Sequence, residues 1–289
     1  MFTSLSPTRA AAAALVLGSS AATIAARPPH RIHPHARTQV VTITARDYAF
    51  DAPDTLAAGR TELQLLNRGT ELHHAYIIRL DGGRTLKNLF DAMRAGGPLP
   101  AWAHDVGGPN SSIPGGTSAA VVDLTPGSYA LICVIPSADG KPHVMKGMAH
   151  SFTVVPSLPT HAAAPVPLVG ATPDITISLS DYAFALSRPF TAGHHVVRVT
   201  NVAAQSHEIF VARLAPGKTP EDVLTWIEKQ QGPPPLVPMG GTVGLAQGVS
   251  NDFALDLTPG NYALFCFFPD AKDGKPHVAH GMIRAFTVQ

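Results

Sequence analysis

The dominant pattern along the chain is a period of two. Thr61-Glu-Leu-Gln-Leu65 alternates polar and apolar positions, as do Ile175-Thr-Ile-Ser-Leu179 and Val197-Arg-Val-Thr200. Successive strand residues face opposite sides, so each run predicts a strand with one face in a core. Turn signals separate the runs: Thr-Pro-Gly stands before Tyr129 and Tyr262, and Asp-Gly before Lys141 and Lys275. Short strands at this spacing predict an all-β fold of the sandwich type. The period changes once in each half. Thr219-Pro-Glu-Asp222 supplies a cap, a first-position proline and first-turn acids; Val223, Leu224, Trp226 and Ile227 follow, with Gly232 beyond. A matching segment runs from Thr85 to about Gly96. Each predicts a short helix in a long loop, a packing element with no chemical role.

The two halves superpose as sequence at an offset of about 134 residues. Asp47-Tyr-Ala-Phe50 returns as Asp181-Tyr-Ala-Phe184, Asp123–Leu131 as Asp256–Leu264, Asp139–Val144 as Asp273–Val278, and Phe152-Thr-Val154 as Phe286-Thr-Val288. Each copy is long enough to fold alone, which predicts a tandem pair of domains, 39–155 and 174–289. Residues 156–173 between them are rich in Pro and Ala and predict a semi-rigid linker. At the N-terminus, Arg9 precedes an uncharged, Ala-rich run from Ala10 to Ala26, which reads as a cleaved export signal over residues 1–26. Its strongly apolar side chains (Leu15, Val16, Leu17, Ile24) are too few for a membrane anchor. Residues 27–38 follow as a flexible lead-in. The expected location is periplasmic or extracellular, with no membrane attachment after cleavage.

Charge narrows the partners. The 289 residues carry 21 basic and 20 acidic side chains, a net of +1, so there is no electrostatic footprint for nucleic acid or an anionic surface. Small ions or other proteins are the partners left.

Two cysteines in an exported chain normally suggest one disulfide. Cys133 and Cys266, however, occupy equivalent points of two separate domains, which sets them too far apart to pair. His143 follows Cys133 by ten residues and Met148 follows by five more; His277 follows Cys266 by eleven and Met282 again by five. A thiolate, an imidazole and a thioether on one loop form a soft donor set that suits copper, and a second imidazole completes the trigonal arrangement of electron-transfer copper sites. His73, aligned with His207, supplies it; each lies six residues after an asparagine, Asn67 or Asn201. The alignment chooses His73 over His74, which meets Glu208, and Met148 over Met145, which meets Ala279. His150, His194, His195 and His280 are read as surface residues, as are His30, His33 and His35, although that short tract could also capture metal.

Asn-x5-His, Pro-Gly-x-Tyr-x-x-x-Cys, Pro-His-x4-Met and the closing Phe-Thr-Val resemble the cupredoxin family, the blue copper proteins. The resemblance covers both copies. It implies two Greek-key sandwiches, with one copper held by His73, Cys133, His143 and Met148 and another by His207, Cys266, His277 and Met282. Where the family commonly has an asparagine after the first histidine, bracing the cysteine loop, this chain has His74 and Glu208. Related copper enzymes pass electrons through a histidine beside the cysteine. Here the neighbours are Ile132, Val134, Phe265 and Phe267, so no enzyme is expected. The function implied is electron transfer to a redox partner protein, with copper handling between a donor and an acceptor as the alternative, and a metal-free binding module as a third reading.

Overall fold

The computed structural model describes residues 38–96, 99–156, 167–169, 172–229 and 231–289. The expected signal segment, His30, His33 and His35, nearly all of the lead-in, and most of the linker lie outside these residues.

The first half builds β1 (Gln39–Arg46), β2 (Ala49–Asp51), β3 (Thr55–Ala57), β4 (Gly59–Asn67), β5 (Tyr76–Leu80), α1 (Leu86–Ala95), β6 (Ala103–Gly107), β7 (Thr117–Leu124), β8 (Gly127–Ile132) and β9 (Ala149–Val155). The second builds β10 (Ile175–Ser180), β11 (Ala183–Leu186), β12 (Gly193–Asn201), β13 (His207–Leu214), α2 (Pro220–Lys229), β14 (Leu236–Leu245), β15 (Ser250–Leu257), β16 (Gly260–Phe265) and β17 (Ile283–Val288). Both helices begin where the caps place them: Thr85 and Asn88 form a capping box, and Pro220 opens α2.

The strands form two layers. One sheet runs β11-β10-β12-β15-β7-β4-β1-β2, the other β17-β16-β13-β14-β6-β5-β8-β9-β3. Each half is a sandwich of mixed strands, with β1 parallel to β4 and β10 parallel to β12. Both layers pass from one sandwich into the other, since β15 pairs with β7 at Asp252 and Val121, and β14 with β6 at Leu245 and Val106. Asp252, fully buried, accepts hydrogen bonds from Arg198 of its own half and from Arg60 of the first.

Alternation explains the cores. Val41, Ile43 and Ala45 of β1 point inward, as do Ile175, Ile177 and Leu179 of β10. β8 is covered on both faces. Tyr129, Leu131 and Cys133 enter the core between the layers, while Ala130 and Ile132 pack in a second cluster with Leu89 of α1. β16 repeats this with Tyr262, Leu264 and Cys266 inward and Ala263 and Phe265 beside Val223 of α2. Each cysteine thus continues the inward phase of its strand.

Among the four described histidines read as surface residues, His195 is corrected: it is buried, with Nδ1 2.8 Å from Asp174 Oδ2 and Nε2 2.9 Å from the Thr191 carbonyl. Its polar atoms are satisfied within the fold, which removes the cost of burial. His194 and His280 are exposed and His150 is half-buried. Among the described residues, no helix is long and apolar enough to cross a membrane.

Candidate metal centres

A buried asparagine shapes the loop that carries the first histidine of each site. Asn67 Nδ2 donates to the Glu71 and Ser112 carbonyls, both at 2.7 Å, and its Oδ1 accepts from the Gly69 N–H. Asn201 does the same with Gln205, Leu245 and Ala203. Satisfying so many backbone groups from one side chain fixes the turn that delivers His73 or His207 to the core end.

The other donors come from one returning loop. After Cys133 the chain is pinched by a bridge between Pro136 and Pro142, and the His143 N–H donates to the Ile135 carbonyl at 2.9 Å. A short 3-10 turn, His143–Lys146, then ends at Gly147, whose φ of 103° is open to glycine and costly for other residues. That reversal brings the Met148 N–H to the His143 carbonyl, and the Met148 carbonyl to the Cys133 N–H. The second loop uses Pro269, Pro276, His277–His280 and Gly281 (φ 90°) identically. Its extra residue is absorbed at the tip, where the Asp270 N–H bonds the Lys275 carbonyl in place of Ser137 to Lys141.

These elements bring His73, Cys133 and His143 together, and likewise His207, Cys266 and His277, with the ligand atoms of each set within 4.8 Å of one another. In the first, His73 Nδ1 is 3.1 Å from His143 Nδ1, and Cys133 Sγ is 3.4 Å from His143 Nδ1. In the second, Cys266 Sγ lies 3.2 Å from His277 Nδ1 and 3.8 Å from His207 Nδ1. All six side chains are fully buried, and both thiols are free. Met148 and Met282 are also fully buried, in the same core clusters as their cysteines, whereas Met145 is exposed.

Groups outside the donor sets orient the imidazoles. His73 Nε2 is 2.6 Å from Asp47 Oδ1 and His143 Nε2 is 2.8 Å from Glu71 Oε2. In the second site, His207 Nε2 is 3.1 Å from Asp181 Oδ1, and His277 Nε2 is 3.2 Å from Gln205 Oε1, with Asp270 Oδ2 at 3.7 Å. An acceptor at Nε2 keeps the proton there and turns the Nδ1 lone pair inward, as metal-binding histidines require. Gly69 makes room for this contact in the first site: a Cβ on it would come 2.2 Å from Asp47 Oδ1. Ala203 stands at the matching place of the second site, with its longer His207–Asp181 contact.

The electrostatics fit a site that receives a cation. Burial pushes Asp47 and Glu71 up, but hydrogen bonds outweigh it and hold both carboxyls below their usual range: Thr70 and His73 on Asp47, Tyr48 and His143 on Glu71. Burial lowers His73 and His207, and it lowers His277 to about 4 with help from the neighbouring His207. It pushes the Cys133 thiol up to about 12 and Cys266 further still, where the Glu208 carboxylate adds to the effect.

His74 and Glu208 prove to brace the cysteine loops. His74 Nε2 accepts from the Val134 N–H at 2.9 Å, and Glu208 Oε1 from the Phe267 N–H at 3.0 Å. Burial holds His74 at about 3 and raises Glu208 to about 7. The outer acceptors Asp47, Glu71, Asp181, Gln205 and Asp270 were missed from sequence. The signal for one pair was present, since Asp47-Tyr48 returns as Asp181-Tyr182.

The residues fit copper. Nitrogen and sulfur donors at about 2.0–2.3 Å from one ion stand roughly 3.5 Å apart, near the separations found here. A thiolate, two imidazoles and a thioether form the soft set that copper favours, one ion in each sandwich.

No family model and no curated protein matches the chain. Solved structures do. A dithionite-reduced auracyanin from Roseiflexus castenholzii is 24% identical over 41% of this chain and 98% of its own, with a TM-score of 0.28. A blue copper oxidase from Nitrosomonas europaea is 16% identical over 87% of this chain and 86% of its own, TM-score 0.25. A copper-containing nitrite reductase from Thermus scotoductus SA-01 is 13% identical over 86% of this chain and 61% of its own, TM-score 0.23. The two-layer sandwich of mixed strands in each half agrees with the cupredoxin-like fold expected from the sequence. Two of these three structures are enzymes, which corrects the expectation that the chain is not one. That expectation rested on the residues beside each cysteine. Folding gathers donors far apart in sequence, as it does in both clusters here, so the neighbours of a cysteine do not decide the matter.

Proposed function

We propose that the chain is an exported copper protein that relays single electrons, with one ion in each sandwich. The observation that carries this reading is the pair of buried Cys-His-His clusters, each imidazole already turned Nδ1-inward by an outer hydrogen bond. Bound there, copper supplies a one-electron couple between Cu(II) and Cu(I). The chain's own part is to hold the donors still and dry. Two proline bridges, the glycine-ended turns and the bracing of Val134 and Phe267 leave the cysteine loops little to rearrange. Delivery of copper to an acceptor would need donors that a partner can reach, and these six side chains have no exposed surface. Retention is favoured over hand-off. The part-exposed carboxylates of Asp47, Glu71 and Asp181 lie over the Nε2 edges, so the imidazoles sit one side chain beneath solvent, within reach of a docked redox protein. The N-terminal run from Arg9 to Ala26 supports export.

The test is copper titration of the signal-free protein followed by visible absorption, on wild type, Cys133→Ser and Cys266→Ser. Each single variant is expected to lose about half of the thiolate-to-copper band, and wild type to show a reversible one-electron potential. Colourless binding of Cu(I) alone would favour copper handling, and a wild type that binds no copper would overturn both readings.

A further inference from the structure

The two sites are matched in their donors and unmatched in what lies behind them. Every hydrogen bond of His73, His74, Cys133 and His143 ends within the first half. The second site is different. Ser206, the residue before His207, donates its hydroxyl to Asp105 of β6, and the same carboxylate takes the Tyr76 hydroxyl. Glu208 Oε2, the oxygen left over after Phe267 is braced, lies 3.4 Å from Asn110 Nδ2. Asn110 is itself anchored in the second half, with Nδ2 3.2 Å from the Ile209 carbonyl and its backbone N–H 3.1 Å from the Gly241 carbonyl. Asp105, Asn110 and Glu208 are buried and Ser206 is half-buried, so at the three buried side chains no water replaces a lost partner cheaply.

The two halves do not mirror this arrangement. Ser112 and Leu245 occupy matching places, as the carbonyls that Asn67 and Asn201 bond. Counting back two residues from each sets Asn110 against Val243. Val243 has no polar group to offer, and it packs with Tyr76, Ile132 and Val144 of the first half. The difference tracks the braces: the acid Glu208 meets an amide, and the site braced by neutral His74 meets an apolar wall.

We propose that the second metal site is a composite, in which Asp105 and Asn110 of the first sandwich position His207 and Glu208 of the second, whereas the first site draws all its hydrogen bonds from its own half. The inference rests on the copper reading above. Asp105 and Asn110 are positioning residues: neither touches the donor atoms, and both act through the strand that carries His207 and through the side chain that holds the cysteine loop. A Glu208 carboxylate held from two sides keeps the Phe267 N–H, and with it Cys266, in one place.

The experiment uses the full signal-free chain in two backgrounds, Cys133→Ser to leave the second site and Cys266→Ser to leave the first. Into each, Asn110→Ala and, separately, Ser206→Ala are introduced. Copper affinity is read by chelator competition, and the thiolate-to-copper band and the reduction potential are recorded. Both variants are expected to weaken the second site by about tenfold to a hundredfold, the usual effect of removing an outer support, and to shift its band and potential. The first site should stay within about twofold of its parent. An unchanged second site, or equal losses at both sites, overturns the proposal. Should Asn110→Ala fail to fold, Ser206→Ala, which removes one hydroxyl, decides alone. Two ions bound by wild type with no selective effect of the variants refutes only the composite site; no copper bound by wild type refutes the copper reading itself.

Discussion

Copper affinity at the second site should rise with pH by one full proton. The perturbation is pH alone, in Cys133→Ser protein, where the second site is the one left intact. Before metal enters, Cys266 holds its proton, because burial and the nearby Glu208 carboxylate keep the thiol far above its ordinary value. His207 and His277 are already neutral, lowered by burial, His277 to about 4. Glu208, raised to about 7 by burial, is largely ionised by about pH 8. Above that point the only proton the metal must displace is the one on Cys266 Sγ. Each pH unit is then worth about tenfold in affinity, or ~1.4 kcal/mol. From about pH 8 to about 9, binding should tighten roughly tenfold. Chelator competition across that range gives log Kd against pH, with an expected slope of minus one. A slope near zero would mean that the thiol is not a ligand or that it is already ionised. A slope near minus two would mean that an imidazole still carries a proton, against the burial that lowers both histidines. Cys266→Ser in the same background should lose the slope altogether.

Three further outcomes follow from the packing. Asp252→Asn keeps the shape but removes the charge that Arg60 and Arg198 share between the halves; because both arginines are part-exposed and rehydrate, the cost is about 2 kcal/mol, less than for a fully buried pair. Urea unfolding measures it, and a loss below about 0.5 kcal/mol would mean that this junction contributes nothing. His74→Ala leaves the Val134 N–H without its acceptor, which should cost about 1–3 kcal/mol and weaken copper at the first site at least tenfold, with the second site as the unchanged reference. Acid should destabilise the metal-free protein. The folded values of His74 (about 3) and His277 (about 4) lie below the ordinary 6.5, so their contribution is present above pH 6.5 and lost as pH falls, each by up to ~1.4 kcal/mol per unit. Glu208 acts oppositely: its folded value of about 7 lies above the ordinary 4.5, so the folded state takes up its proton first and gains stability as pH falls between those values. Glu208→Gln should therefore steepen the acid loss between about pH 7 and 4.5, and an unchanged curve would show that this carboxyl is not raised.

Much of the molecule was legible because it obeys a period. Alternation marked the strands, and the Thr85 and Thr219 caps marked both helices. The inward phase of Tyr129 and Leu131 carried on to Cys133. What sequence could not show is contact between halves. The pairing of β6 with β14 and of β7 with β15 leaves no trace in either strand's own alternation, because edge and central strands of a sandwich share the same pattern. Outer acceptors were half visible: Asp47 recurs as Asp181, but the recurrence alone does not say that an oxygen faces Nε2. Glu71, one turn of loop before His73, aligns with Gln205, a change of charge that gave no reason to link the two.

The same logic explains why the composite character of the second site was hidden. Comparing the two halves finds residues that both need, and so it recovered the histidines, cysteines and methionines. It is blind to a residue that one half supplies to the other, because such a residue has no counterpart to match. Asn110 faces Val243 in that comparison and looks like an ordinary loop substitution. The clue lay one step away, in the unlike braces His74 and Glu208. A buried imidazole can be neutral and rest against apolar surface, whereas a buried carboxyl needs a donor for each oxygen or a proton in its place. Phe267 satisfies one oxygen of Glu208, and Asn110 stands where the other requires a partner. An acid in the bracing position therefore demands a polar neighbour from outside its own sandwich, and the junction of the two sheets is where that neighbour is placed.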